Sequence, residues 1–194
     1  CYLKLLRSLS NIFNLSSKEI KHLISDKNGN LKINLEHNRI KLNDKFYFSF
    51  RESFKEYWLS LSGLGSFTRT MIPDFSIYKK NKNNYQLLVF DSKYRVNTQL
   101  NEAISSIHTY RDAIVYDDFN KIKQTVIGSY LLTPQDFNTY KQDWKQEKMP
   151  NRIFHPYYKS KFKFGAITFK PGLTNFEIDL IIKHILQDSF YIKL

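Results

Sequence analysis

The stretch PDFSIYKKNKNNYQLLVFDSK, residues 73–93, has the pattern of a single β-hairpin with charged residues at both ends. Two apolar-rich segments, 75–78 and 85–90, have the length and composition of short strands. The hexapeptide between them, 79–84, is rich in Asn and Lys and suits a reversal of the chain. The sequence therefore predicts two antiparallel strands, and the elements on either side are expected to pack around them.

With the turn centred between Lys82 and Asn83, Asp74 at the start of the first strand lies opposite Asp91 at the end of the second. Opposed residues of antiparallel strands have Cα atoms roughly 5 Å apart, so the two carboxylates are close. Side chains alternate between the two faces of a strand, which places Lys93 on the same face as Asp91. We therefore expect two acids and one ammonium group to converge at one end of the hairpin.

Two adjacent carboxylates repel each other unless one is protonated or a cation lies between them. Oxygen ligands with space for water favour a hard ion such as Mg²⁺, which proteins hold with one or two carboxylates and substrate phosphate. A nearby lysine orients the attacking water or offsets charge that develops on a phosphate. This chemistry is hydrolysis of a phosphodiester. The alternative is that Asp74 is an ordinary turn residue and that Asp91 and Lys93 form a solvated strand edge.

The composition bounds the class of protein and its partner. The chain has 194 residues, 42% of them hydrophobic, which fits one folded domain with a sizeable core. Thirty Lys and Arg residues against 18 Asp and Glu give a net charge of +12. This excess predicts a polyanionic partner; we expect DNA, with RNA as an alternative and an anionic membrane surface as a weaker one.

Cysteine usage and hydropathy exclude further classes. Cys1 is the one cysteine, so the chain has neither an internal disulfide nor a zinc site built from cysteines. There is no secretory leader and no apolar run of about 18 residues, so we expect a cytoplasmic protein that does not span a membrane. Because the chain begins with Cys1 and not Met, we expect it to be the C-terminal fragment of a longer protein.

Before the hairpin, the sequence predicts helices and short strands. Apolar residues at helical spacing predict an N-terminal helix that ends near Phe13, and Ser17 can cap a second short helix. Alternating patterns at 31–35 and 40–42 predict short strands. The segment 49–62 has apolar residues on one helical face and predicts a helix that leads into the hairpin.

After the hairpin, the predicted order is helix, strand, strand and helix. An amphipathic helix is predicted over 100–114, followed by a strand over 125–132 that Pro134 ends. A further strand pattern runs over 162–169, and Asn175 is the predicted N-cap of the last helix.

These residues resemble the PD-(D/E)XK nuclease superfamily, and the likeness covers about Phe50 to Pro134. The resemblance implies an α/β, restriction-endonuclease-like core with the order α-β-β-β-α-β, in which helices flank a mixed central sheet and the hairpin carries the catalytic acids. Residues 1–45 are then a helical lead-in with short strands, and 46–194 are the nuclease domain. The runs 91–95 and 107–114 look like the nuclease subunits of McrBC-type modification-dependent restriction systems and related defence nucleases.

The resemblance also implies roles for individual residues. Asp74 and Asp91 match the metal-binding acids, Lys93 matches the catalytic lysine, and Ser92 would offer its backbone carbonyl to the metal. Glu56 matches the acid that many members carry on the helix before the hairpin. The implied cofactor is Mg²⁺, for which Mn²⁺ can substitute.

The accessory positions have alternatives. Glu52, one turn before Glu56, competes with it for the role of third acid, and either can be a solvated helix charge. His108 and Tyr110 match supporting positions on the helix after the hairpin, near the cleft. The family often has Gln there, and His108 can instead belong to a network on the helix surface.

Basic residues outside the hairpin are candidates for contacts with nucleic acid. The alternation in 158–164 predicts a strand in which Lys159, Lys161 and Lys163 share one face and contact phosphates. The alternative is an amphipathic strand with a solvated lysine face. Arg95, just after the hairpin, is a further candidate.

The sequence thus predicts a Mg²⁺-dependent DNA endonuclease domain that hydrolyses phosphodiester bonds, with a role in restriction and anti-phage defence implied by the resemblance. The same resemblance implies a motor NTPase partner of the McrB type, because the chain has no Gly-x-x-x-x-Gly-Lys-Ser/Thr loop of its own. A homodimer would allow double-strand cuts. The alternatives are a non-catalytic nucleic-acid-binding module of the same fold and an RNA-directed nuclease.

Overall fold

The computed structural model describes residues 2–16, 18, 20, 24–27, 30–33, 39–81, 84–137 and 141–194. The described residues form four α-helices: α1 (Tyr2–Phe13), α2 (Gln99–Ala113), α3 (Pro156–Phe162) and α4 (Asn175–Phe190). Their strands are β1 (Ile24–Lys27), β2 (Asn30–Ile33), β3 (Arg39–Lys41), β4 (Phe46–Phe50), β5 (Leu64–Ser66), β6 (Phe75–Asn81), β7 (Asn84–Ser92), β8 (Ile114–Asp117), β9 (Ile122–Gln124), β10 (Val126–Thr133) and β11 (Phe164–Thr168). None of these helices has the length and apolar character needed to cross a lipid bilayer.

The central sheet has six strands in the order β11-β10-β7-β6-β4-β3. Strands β7, β10 and β11 run parallel to one another, whereas β3, β4, β6 and β7 pair antiparallel. This mixed sheet, flanked by helices, is the predicted restriction-endonuclease-like α/β architecture, which is confirmed. From α1 to β10 its elements follow in the order α1, β3, β4, β6, β7, α2, β10, so the expected α-β-β-β-α-β order is present with β3 as an additional edge strand. Strands β5, β8 and β9 form a separate small sheet, and β1 pairs with β2.

Strands β6 and β7 form the predicted hairpin. Phe75 pairs with Phe90, and the register continues to Asn81 opposite Asn84, so the predicted register is confirmed, and its continuation by one residue places residue 74 opposite residue 91. Central strands that are covered on both faces become largely apolar, as the run from Leu87 to Phe90 shows. The hairpin therefore lies in the middle of the sheet.

Two layers of helices cover the two faces of the sheet. Helices α1 and α4 pack on one face, which we call the α1/α4 face, together with Phe75 and Phe90. Helix α2 packs on the opposite face, which we call the α2 face, where Ile107 meets Leu131 of β10. Because side chains alternate along β7, Asp91 lies on the α2 face.

The N-terminal helix is confirmed, and it is part of the core. Leu5 and Leu9 are fully buried in the cluster that contains Phe46 of β4 and Leu186 of α4. Strand β3 also belongs to the central sheet. Residues of α1 and β3 thus pack in the same core as β4.

The predicted helix over 49–62 does not form. Its first residues continue β4, where Phe50 pairs with Phe75, and Arg51 then takes a positive φ of 49°. Phe54 pairs with Met71 in an isolated β-bridge, and a short 3₁₀ turn covers Tyr57–Leu59. Pairing with neighbouring strands thus outweighs the helical periodicity of the segment. The residues expected on its apolar face do not share one environment, since Phe54 is buried while Trp58 is 60% exposed.

The remaining predictions have mixed outcomes. Helix α2 and strands β10 and β11 are confirmed within one or two residues, although β11 begins only at Phe164. The predicted strand over 158–164 is wrong, because Pro156 starts helix α3 instead. The short helix that Ser17 was predicted to cap falls mostly outside the described residues, in which β1 begins at Ile24.

Candidate active site

Asp74 and Asp91 lie at the end of the hairpin where β6 begins and β7 ends. The neighbours that pair across the strands, Phe75 and Phe90, face the α1/α4 layer, so both acids lie on the α2 face. Asp91 is buried, with 2% of its surface exposed, and Asp74 is partly buried. The sequence-predicted acids are therefore brought together on one side of the sheet.

The carboxylate of Asp74 is tied to the backbone of the other strand. The N–H of Ser92 donates a hydrogen bond of 2.7 Å to Asp74 Oδ2. Burial raises the pKa of Asp74 above its usual range and the charge of Asp91 adds to this, while the Ser92 N–H and the Lys93 ammonium act in the opposite direction. The two carboxylates thus interact electrostatically, which is the condition under which a cation between them is favourable.

Asp91 receives two donors on the same oxygen. The Ser106 hydroxyl of α2 donates to Asp91 Oδ2 at 2.5 Å, and the Lys93 ammonium lies 2.8 Å from the same atom. Lys93 is held just beyond β7 because its backbone N–H donates to the carbonyl of Leu132 in β10 at 2.9 Å. Its side chain is 32% exposed, so the ammonium touches the buried acid and also reaches solvent.

Helix α2 presents Ser106 and Tyr110, one turn apart, towards the acids. Burial, and then the charges of Asp91 and Asp74, raise the pKa of Tyr110 to about 12, so its hydroxyl is protonated at neutral pH. That hydroxyl donates to the carbonyl of Ile72 at 3.3 Å. Next to it, a cleft of about 470 Å³ lies between the segment 69–72 and α2, and Ser106 and Tyr110 form part of its wall.

Ser106 is the residue that the sequence reasoning did not find. The available signal was its spacing: Ser106 precedes Tyr110 by four residues, so the two share a face of the predicted helix. His108, which was predicted to support the site, lies two residues from Ser106 and thus on another face. Its exposed ring makes a tilted contact with the ring of Phe164, with 4.3 Å between the ring centroids.

Glu56 does not join the acids. The helix that was predicted to carry it is absent, and Glu56 lies in a β-bridge with Ser66 of β5. Glu52, its competitor, forms an ion pair with Arg39. Within the part of the chain that the structure describes, no group of three or more His, Cys, Asp or Glu side chains is placed to hold a metal.

The other predicted nucleic-acid contacts are dispersed. Helix α3 separates the three lysines: Lys159 lines a cavity, Lys161 lies over the ring of Tyr157, and Lys163 is 3.7 Å from Asp188. The prediction that these lysines share one face is therefore wrong, because it required residues 158–164 to form a strand. Arg95 forms an ion pair of 2.7 Å with Glu102 near the start of α2.

The donor set at the hairpin fits a hard divalent ion that is completed by water and substrate. Asp74 and Asp91 supply carboxylate oxygens, and the hydrogen bonds described above engage Oδ2 of each. Mg²⁺ is commonly held in this way, by one or two carboxylates together with waters and a substrate phosphate. A cage made by protein ligands alone is not what these residues form.

Comparison with known proteins gives one match. A family model described as the PD-(D/E)XK nuclease superfamily matches residues 1–138, a region that runs from α1 past β10 and contains Asp74, Asp91 and Lys93. Searches of curated proteins and of solved structures found no match to this chain.

Proposed function

This chain belongs to the PD-(D/E)XK nuclease superfamily, and from that premise we propose that it is a Mg²⁺-dependent endonuclease that hydrolyses phosphodiester bonds in DNA. The observation that carries the proposal is the convergence of Asp74, Asp91 and Lys93 on the α2 face of the hairpin. A net charge of +12 favours a polyanionic substrate.

In this proposal Asp74 and Asp91 hold the metal, with the backbone carbonyl of Ser92 as a further ligand. When bound, the metal would polarise the phosphate and lower the pKa of a water molecule. The Lys93 ammonium donates to Asp91 and keeps further N–H groups for the attacking water or for the negative charge that develops on the phosphate. The Tyr110 hydroxyl beside the acids already donates its one hydrogen to the Ile72 carbonyl, so in this proposal it helps to hold the wall of the cleft.

The wider role is also a proposal, supported by the resemblance in residues 91–95 and 107–114. It comprises restriction or anti-phage defence, a motor NTPase partner of the McrB type, and the pairing of two copies for double-strand cleavage. Mn²⁺ is expected to substitute for Mg²⁺.

The direct test is cleavage of plasmid and linear DNA by the purified protein with Mg²⁺, with Mn²⁺ or with EDTA. We expect Asp74→Asn, Asp91→Asn and Lys93→Met to lower the rate by at least about 100-fold, because each removes a group that contacts metal or substrate. The matched controls are Asp44→Asn and Lys41→Met, an exposed ion pair of 2.9 Å at the other end of β4. Equal cleavage by all variants would reject the assignment.

Two parallel measurements separate the alternatives. An RNA oligonucleotide of the same sequence tests whether RNA is the better substrate. Calorimetric titration with Mg²⁺ tests the non-catalytic binding module, which would bind DNA yet take up no metal in an Asp91-dependent manner. If wild type binds Mg²⁺ but cuts nothing, the McrB-type partner becomes the next component to add.

A further inference from the structure

A cavity of about 520 Å³ lies between α3, the edge strand β11 and α4. Tyr130 and Ile167 form its floor on the α1/α4 face, and Ile181 and Ile185 of α4 form one wall. It is therefore on the opposite face of the sheet from Asp91. Its size lies within the range of small-molecule sites, which combine apolar walls with a few polar groups.

Lys159 of α3 is the charged group of this cavity that has no opposite charge beside it. None of the described residues forms a hydrogen bond or an ion pair with its ammonium group, and burial alone lowers the pKa of Lys159 to about 8. Asp188 is the acid among the lining residues, and it lies 3.7 Å from Lys163. Lys163 thus balances Asp188, and the positive charge of Lys159 is uncompensated.

The backbone makes room for Lys159. A Cβ atom added to Gly165 of β11 would lie 2.8 Å from Cγ of Lys159 and 2.3 Å from the carbonyl oxygen of Ile153. Gly165 also has a φ of 152°, which side-chain-bearing residues rarely adopt. The glycine therefore lets the lysine stem lie directly on the edge strand, where Lys159 is one of the residues that line the cavity.

Lys159 is partly buried and has no partner among the described residues, which costs stability unless something else compensates its charge. We propose that this cavity binds a small organic anion, whose carboxylate or phosphate head contacts the Lys159 ammonium and whose apolar body lies against Ile167, Ile181 and Ile185. The ligand chemistry follows from the pairing of one uncompensated cation with apolar walls. The site is independent of the hairpin acids.

The test uses 8-anilinonaphthalene-1-sulfonate, which joins an anionic head to an apolar body and fluoresces when it leaves water. We expect wild type to bind it and Lys159→Met to bind at least tenfold more weakly, because Met keeps the stem and removes the charge. The matched control is Lys161→Met, two residues away on the same helix, where the exposed lysine lies over the ring of Tyr157. An equal loss in both variants, or no loss in Lys159→Met, would overturn the proposal.

A second variant and two competitors complete the experiment. Ile185→Trp keeps Lys159 but fills the cavity, and it is also expected to weaken binding of the fluorophore at least tenfold. Hexanoate and hexyl phosphate are then added to the wild-type complex to distinguish a carboxylate head from a phosphate head. If hexanoate or hexyl phosphate displaces the fluorophore from wild type but not from Lys159→Met, the result supports the site. If neither competitor displaces the fluorophore from wild type, the assigned ligand class is overturned. Thermal melting of each variant verifies that it is folded.

Discussion

A carboxylate as buried as that of Asp91 needs compensation, and two donors of different character supply it. Lys93 contributes a full charge from beyond the end of β7, whereas Ser106 contributes a neutral hydroxyl from α2. Both reach Oδ2, so together they fix the orientation of the carboxylate. A fixed orientation of this kind is what the proposed role of Asp91 as a metal ligand would require.

At the residue scale, we predict that Ser106→Ala lowers the rate of DNA cleavage by about 10- to 100-fold. A hydrogen bond to a charged group contributes about 1.5–3 kcal/mol, and its loss leaves Lys93 alone to orient the Asp91 carboxylate at the proposed metal site. The measurement is kcat and KM together with the apparent Kd for Mg²⁺, because removal of a residue that positions a metal ligand should weaken metal binding. The fold is expected to persist, as judged by circular dichroism.

Ser105→Ala is the matched control, since Ser105 is the adjacent hydroxyl on α2 and donates instead to the backbone carbonyl of Glu102 at 2.7 Å. Its cleavage rate and Mg²⁺ affinity should remain at the wild-type level. If both serine variants behave alike, Ser106 has no special role in positioning Asp91.

A second prediction at this scale concerns Lys159 and the pH dependence of stability. The pKa of this residue in the folded chain is about 8, against 10.5 for an ordinary lysine, so between these values the unfolded chain binds one more proton. Native stability relative to Lys159→Met must therefore rise with pH across this window. Below pH 8 we expect Lys159→Met to be more stable than wild type, by on the order of 1 kcal/mol after allowance for solvent screening.

Urea unfolding at pH 7, 8, 9 and 10 measures this difference. The other titratable side chains that line the cavity, and so need to be considered across this range, are Tyr130, Tyr157, His184 and Asp188. They are present in both proteins, as is Lys163 beside Asp188, and their direct contributions cancel to first order. A stability difference that does not change with pH would contradict the assigned state of Lys159.

At the scale of elements, the N-terminus of α4 shows how a local rule decides a boundary. Thr174 Oγ1 accepts a hydrogen bond from the Glu177 N–H, and the Glu177 carboxylate accepts one from the Thr174 N–H at 2.8 Å. This reciprocal capping box places the cap at Thr174. The sequence pattern predicted Asn175, one residue later, because both residue types are good caps.

We therefore predict that Thr174→Ala lowers the free energy of unfolding by about 1 kcal/mol, whereas Asn175→Ala changes it by less than about 0.5 kcal/mol. Only the first substitution removes a side-chain acceptor from the end of the helix. Chemical unfolding of the two variants side by side gives the comparison. A larger loss of unfolding free energy for Asn175→Ala than for Thr174→Ala would show that Asn175 is the N-cap, as the sequence pattern indicates.

The elements predicted correctly are those in which the local sequence pattern and the pairing with neighbouring elements favour the same structure. The hairpin has two apolar segments joined by a turn of suitable length, so its register follows from the sequence, and continuing that register by one residue places Asp74 opposite Asp91. In 49–62, helical periodicity competes with pairing between β4 and β6, and no local rule ranks the two. The predicted position of Glu56 depended on that helix. Because the helix does not form, Glu56 lies away from the acids.

Ser106 illustrates the limit for the candidate site. Ser105 and Ser106 are chemically identical, and only the rotation of α2 on the sheet decides which one meets Asp91. That rotation depends on packing of Leu100, Ala103 and Ile107 against strands that are distant in sequence. Long-range packing of this kind is not encoded in any local motif.

At the scale of the whole molecule, α1 packs against α4, which is distant from it in sequence. Leu5 packs among side chains of the sheet and of α4, and Arg7 forms an ion pair of 2.6 Å with Asp179 of α4. Asn11 also donates to Asp179, at 3.2 Å. The first helix therefore covers the sheet jointly with the last one, and the two should unfold with the sheet in one cooperative transition.

This cooperativity is testable with two leucines of α1 that differ in exposure, Leu5 at 0% and Leu3 at 45%. We predict that Leu5→Ala lowers the free energy of unfolding by about 2–5 kcal/mol, since it leaves a cavity in the core, and that Leu3→Ala changes it by less than about 0.5 kcal/mol. The reporter is the fluorescence of Trp144, whose ring packs on Tyr158 outside this core cluster, followed in a Trp58→Phe background. If α1 is integral to the fold, Leu5→Ala must shift the Trp144 transition as far as it shifts the loss of helical circular dichroism. A Trp144 midpoint unchanged by Leu5→Ala would instead make α1 an appendage that unfolds on its own.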